Sequence, residues 1–167
     1  MKKFTLGIVL IVLLVSLAAV GCQSAQPTTD NGYSVEMDNF EKHISHGKTK
    51  MMEYNSTQNP SILADLQMHL SRAAKSADVL NTLQGEEGAI EWANAEKVLS
   101  AMEVENKRVI ENSIASEEPY DYAAYGEEIK NNTEKFQNIL NALKEVKKDA
   151  QAGSLTKENA QKLNQQF

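Results

Sequence analysis

The sequence predicts an all-α protein, an up-down-up-down four-helix bundle followed by a short C-terminal helix. Three observations carry this. From residue 34 onward the apolar side chains recur every three or four positions, the spacing of one helix face. No stretch sustains the alternation of β-branched and aromatic with polar residues that a half-buried strand needs. The periodic segments are separated by turns of a few residues, which makes sequential helices antiparallel neighbours crossing near ~20°.

In the first helix Met37, Phe40, Ile44, Gly47, Met51 and Tyr54 form the stripe, and Ser34 is the expected N-cap. Gly47 sits inside that stripe, where glycine costs ~1 kcal/mol against alanine. Asn55 to Ser61 is a turn cluster, with Asn59 as N-cap of the second helix and Pro60 in its first turn, where a missing N–H does no harm. Leu63, Leu66, Leu70, Ala73, Ala77 and Leu80 make its face, and the alanines let a neighbour come close. Gly85 and Gly88 then mark a turn.

The third helix is expected from Glu87 to Ser116, with Trp92, Ala95, Leu99, Met102, Asn106 and Val109 in heptad register and Val98, Ile110 and Ile114 widening the face. Asn106 is the polar exception in that seam. Pro119 breaks the pattern. The fourth helix is expected from Asp121 to Ala152, carrying Tyr125, Ile129, Phe136, Leu140, Leu143 and Val146, with Asp121 as cap and Tyr120 stapled to Tyr125. Gly153 suits the position just past its end. A last helix capped by Thr156 presents Ala160, Leu163 and Phe167 and is expected to pack back on the bundle.

The N-terminus is of another kind. Lys2-Lys3, an apolar run from Leu6 to Val20, the small residue Gly21 and then Cys22 follow one another. A basic start, a short apolar segment and a small-residue exit describe a secretory signal. With a cysteine directly after the small residue, the segment resembles the lipobox of bacterial lipoprotein precursors, departing from it at Ala19, where a branched aliphatic residue is usual. The resemblance implies cleavage after Gly21 and a lipid-modified N-terminus, palmitate-type acyl chains included, at Cys22. It divides the chain into a cleaved signal peptide (1–21), a lipidated cysteine with flexible tether (22–33) and a helical bundle domain (34–167), and places the protein on the extracytoplasmic face of a cell membrane. The apolar run falls short of the ~20 residues a spanning helix needs. An unlipidated Cys22 would be a lone thiol in an exported chain, with no partner for a disulfide. Within the tether, Gln23 to Gly32, with Pro27, Thr28, Thr29 and Gly32, reach about 30 Å when extended.

Composition narrows the function. The full chain carries 17 basic and 23 acidic residues, and loss of Lys2 and Lys3 leaves 15 basic residues and a net charge of −8. Nucleic acid and anionic lipid headgroups, both of which need a basic face, are therefore excluded as partners. No zinc-protease HExxH, hydrolase GxSxG or glycine-rich phosphate loop occurs. The acidic pairs Glu86/Glu87, Glu117/Glu118 and Glu127/Glu128 flank helix starts, where they complement the helix dipole. The sequence thus predicts no enzyme and no cofactor.

Two binding sites compete. His43, His46 and His69, with Met51, Met52 and Met68 nearby in sequence, supply the imidazole and thioether groups that suit copper, but their spacing reads as two exposed histidines and a third flanking the core. The Glu-x-x-His pairs of di-iron bundles are absent, and the sequons at Asn55 and Asn131 carry no weight in a bacterial protein. In an up-down bundle the 55–61 and 115–121 turns share the membrane-distal end, collecting Tyr54, Asn55, Glu117, Glu118, Tyr120 and Tyr122. Aromatic residues with an acidic rim suit protein recognition, and equally suit closing the end of a core. The expectation is a non-catalytic module that binds another envelope or surface protein; the alternative is a helical carrier or sensor of a small ligand or metal.

Overall fold

A computed structural model describes residues 31–84, 88–115 and 122–167, and every regular element among them is an α-helix: α1 (Asn31–Thr57), α2 (Ser61–Gln84), α3 (Trp92–Ala115), α4 (Tyr122–Gln151) and α5 (Lys157–Asn164). None of these helices is long and apolar enough to cross a membrane.

The side-chain pairs fix the directions. On α1 and α2, Tyr33 meets Gln84, His43 meets His69 and Lys50 meets Asp65, so the two run antiparallel. On α1 and α4, Asp38 and Glu41 meet Lys147 while Lys48 meets Gln137 and Tyr54 meets Tyr125, again antiparallel. Asn106 of α3 reaches back to Leu63 and Gln67 of α2. The backbones of α1/α2, α2/α3, α1/α4 and α4/α5 pack closely, whereas α3 and α4 meet through the longer reach of Tyr125 to Asn106.

The core is the set of stripes read from the sequence. Phe40, Ile44, Met51, Leu63, Leu66, Leu70, Leu80, Trp92, Leu99, Ile129, Phe136 and Leu143 are almost wholly buried. Each such side chain contributes ~1.5 to 3 kcal/mol by leaving water. Met102 and Leu140 are only partly buried, and Ile139 joins the core in addition.

Local signals act where expected at several ends. The Asn59 carboxamide oxygen accepts from the Ser61 backbone N–H at 3.0 Å, capping α2. Gly153 has φ +79°, and the Gly153→Ala150 and Ser154→Asp149 backbone bonds terminate α4 in a Schellman motif, with the glycine in the left-handed conformation it permits. Thr156 caps α5 by accepting from Asn159 N–H, and Asp149 ties the cap to α4 by accepting from the Thr156 N–H (2.9 Å), the Thr156 hydroxyl (2.6 Å) and the Asn159 amide (2.9 Å).

Two starts differ from the sequence reading. Ser34 is not a cap but an exposed residue inside α1, which is already helical at Asn31, and Tyr33 belongs to the core rather than to a tether. Trp92 Nε1 donates to the Tyr33 hydroxyl (2.9 Å), which donates to Gln84 Oε1 (3.2 Å), while Gln84 Nε2 donates to the Ile90 carbonyl (2.7 Å). This chain of bonds repays the burial of Tyr33. Likewise α3 starts at Trp92 rather than at Glu87, because Asn164 of α5 accepts from the Glu91 N–H and donates to the Ala89 carbonyl, holding residues 89–91 outside the helix. The C-terminus does fold back: Phe167 packs edge-on to Phe40 (6.4 Å between centroids) and tilted against Trp92 (6.1 Å). Asp121, and Tyr120 as its staple partner, lie outside the described residues.

Candidate functional site

The structure brings together three histidines that the sequence kept apart. His43 and His46 lie one turn apart on α1, and the antiparallel pairing sets His69 of α2 beside both. The Nδ1 atoms of His43 and His69 are 3.2 Å apart. The His46 ring stands edge-on to His69, with centroids 5.1 Å apart. His69 is 8 % exposed, His43 half-buried and His46 exposed, so the cluster runs from the core to solvent. Spacing reads as two exposed histidines and a third flanking the core; His46 is exposed and His69 lies at the core, while His43 is half-buried against it, because period tells the face of each helix and the inter-helix register does the rest.

Gly47 lies beside the cluster and faces Phe136 of α4. A Cβ at that position would lie 3.0 Å from Phe136 Cε2 and 3.8 Å from the His69 Cβ. The bare backbone lets α1 settle against α2 and α4 at once, directly beside His46. The glycine read as a weak point in the helix is the point of closest approach.

Electrostatics keep the pair uncharged. Burial pulls the His43 imidazole below the ordinary histidine value, reinforced by Arg72, Lys42 and His46 and opposed by Glu36. Burial likewise lowers His69, with His46, His43 and Arg72 adding to it and Asp65 opposing. At neutral pH both rings are therefore neutral, and a shared N–H···N bond between the Nδ1 atoms needs one donor and one acceptor tautomer. Among the described residues no group of three or more His, Cys, Asp or Glu side chains is placed to hold a metal ion as it stands, the three histidines included. Met51, one of the methionines near the histidines in sequence, is buried in the core, while Met52 and Met68 are exposed.

A second polar cluster sits in the core near the other end of α1. Asn106, 1 % exposed, donates to the Leu63 carbonyl (3.0 Å) and Gln67 Oε1 (2.8 Å) and accepts from the Tyr125 hydroxyl (2.8 Å). Every polar atom of the seam asparagine is used. Such a group fixes helix register, since sliding α3 by one turn would bury it unpaired.

The proposed recognition end fares differently. Tyr54 is 0 % exposed and packs edge-on to Tyr125 at 5.9 Å, so its ring closes the core and offers nothing to a partner. Glu117, Glu118 and Tyr120 lie outside the described residues, as does Cys22; Tyr122 opens α4, its side chain undescribed. The Tyr54–Tyr125 contact does bring the end of α1 and the start of α4 to one end of the bundle. No family model, no curated protein and no solved structure matches this chain.

Proposed function

We propose that this chain is a lipid-anchored protein of the extracytoplasmic face of a cell membrane, whose helical bundle acts by binding another protein of the envelope as an accessory, inhibitory or exclusion factor. The observation that carries the reading is the run Lys2-Lys3, Leu6 to Val20, Gly21 and Cys22, with Cys22 the only cysteine of the chain. Acyl chains contribute ~0.8 kcal/mol per buried methylene, and more than one chain gives stable anchoring where a single one is marginal.

In this reading the signal peptide 1–21 is removed, and residues 22–30 link the anchor to α1, reaching about 30 Å when extended. An up-down-up-down bundle entered at Asn31 carries the far end of α1 about 40 Å further out, at 1.5 Å per residue. Partner recognition is assigned to Glu117, Glu118, Tyr120 and Tyr122, in the segment that joins α3 to α4 in sequence; Tyr54 is buried at the end of α1. The net acidic charge suits a basic patch on the partner.

The test is photo-crosslinking in cells from positions 118 and 120. A discrete envelope protein captured by the anchored form, and lost when Cys22→Ala strands the precursor, supports the reading. Equal capture by Cys22→Ala, or no discrete product from a normally displayed protein, overturns it.

A further inference from the structure

We propose that His43 and His69, joined by His46, form a binding site for a borderline divalent transition-metal ion of the Cu2+ or Zn2+ type in the groove between α1 and α2. The inference stands on the cluster geometry and is independent of the membrane anchor.

Two imidazole nitrogens bound to one such ion at ~2.0 to 2.1 Å in a tetrahedral arrangement lie ~3.3 Å apart. The Nδ1 atoms of His43 and His69 stand 3.2 Å apart, so both lone pairs can converge on one ion with little motion of either helix. The pair is held by the bundle rather than by chance. His69 is buried at the α1–α2 contact, one side of it facing Gly47. His46, exposed and one turn along α1, is poised edge-on to the His69 ring and reaches the same ion by rotation about its own side chain. Water fills what remains of the coordination shell on the solvent side.

The donor set selects the ion. Imidazoles without thiolate, and with no carboxylate hydrogen-bonded to any of the three rings among the described residues, suit Cu2+, Ni2+ and Zn2+, with Cu2+ bound tightest, and disfavour Mg2+ and Ca2+. The neutral imidazole is the form that ligates, and the charged neighbours of the pair act on a bound ion. The same neighbours limit affinity: Arg72 and Lys42 oppose a cation, Asp65 and Glu36 favour it, and no carboxylate orients the rings from behind. Moderate binding follows, of a kind that exchanges ions rather than locking one in. An ion bridging α1 and α2 would also clamp the hairpin, raising the unfolding temperature in proportion to its occupancy.

Isothermal titration of the full bundle, residues 23–167, with Cu2+ and separately with Zn2+ at pH 7.5 tests the site, with Mg2+ as control. The expected result is a single saturable ion per chain, a higher unfolding temperature in its presence and, for Cu2+, nitrogen hyperfine structure in the electron paramagnetic resonance spectrum. His43→Ala and His69→Gln each weaken binding about tenfold or more, His46→Ala less. Circular dichroism confirms that each variant stays helical; should His69→Gln unfold, the half-buried His43→Ala decides alone. No saturable binding of either ion, binding unchanged in His43→Ala, or equal binding of Mg2+ overturns the site and leaves the two rings as a hydrogen-bonded contact.

Discussion

Replacing Asn106 by alanine tests whether the polar knot in the α2/α3/α4 seam determines how these helices align. Asn106 makes three hydrogen bonds, to the Leu63 carbonyl, Gln67 and Tyr125, and is 1 % exposed. A buried hydrogen bond contributes ~1 kcal/mol net, and a buried group stripped of its partner costs ~1 to 3 kcal/mol more. The Tyr125 hydroxyl loses its Asn106 acceptor within a residue only 4 % exposed, while Gln67 still reaches Glu103 and the Leu63 carbonyl retains its place in α2. Three bonds at ~1 kcal/mol each make the loss about 3 kcal/mol for Asn106→Ala. Urea unfolding of the bundle measures it. Pairing Asn106→Leu with Tyr125→Phe removes donor and acceptor together, so the double variant should recover to within ~1 kcal/mol of the parent while losing uniqueness of packing, visible as broadened amide resonances. A cost under ~0.5 kcal/mol for Asn106→Ala, or a double variant less stable than the two singles combined, refutes the reasoning.

Other changes probe the remaining contacts. Gly47→Ala should improve helix propensity by ~1 kcal/mol yet destabilise the bundle by about 1 kcal/mol net, because the new Cβ meets the buried Phe136 ring at 3.0 Å; a rise in unfolding midpoint would mean that Phe136 gives way. Thr156→Ala should cost ~1 kcal/mol through loss of the α5 cap and release Phe167 from Trp92, read as a change in tryptophan emission; unchanged emission would show that Phe167 docks without the cap. The same corner predicts an acid limit. Hydrogen bonds from the Thr156 side chain, the Thr156 backbone and Asn159 hold the Asp149 carboxyl below its ordinary value of 3.8, so its contribution is complete above that pH and is lost as pH falls through the depressed folded-state value. The Asn159 and Thr156 amide resonances should therefore stay in place to below pH 3.8, and a transition above it would contradict the sign.

How much of this was legible in the sequence depends on whether a feature is local or set by register. The stripes Met37 to Tyr54, Leu63 to Leu80 and Trp92 to Val109 were legible because burial repeats with the helix period, and so were the Asn59 and Thr156 caps and the Gly153 stop, whose hydrogen bonds span a few residues. Tyr33 continues the stripe four residues before Met37 but reads as tether, because Gly32 looks like the tether's end and Ser34 like the first helix's cap. The start of α3 was misplaced because its stop signal is Asn164, in another helix and 73 residues away from Glu91. His43, His46 and His69 stand out in the sequence as a candidate set, but how they meet is not legible there, for the same reason. His43 and His69 are 26 residues apart, and only the height at which α1 and α2 pair brings their nitrogens together. Tyr54 was read as part of a recognition end and is core, because a tyrosine at a helix end looks the same in sequence whether a second tyrosine covers it or not.

In the proposed reading the anchor is covalent, and Cys22 carries the protein on a bilayer. Intact mass spectrometry of the protein extracted from the membranes of its own cells measures this directly. The predicted result is a chain beginning at Cys22 whose mass exceeds that of residues 22–167 by a diacylglyceryl group, with or without a third acyl chain, and whose fragmentation places the addition on that residue. A free thiol at the mature N-terminus, or a product that still begins at Met1, would contradict it.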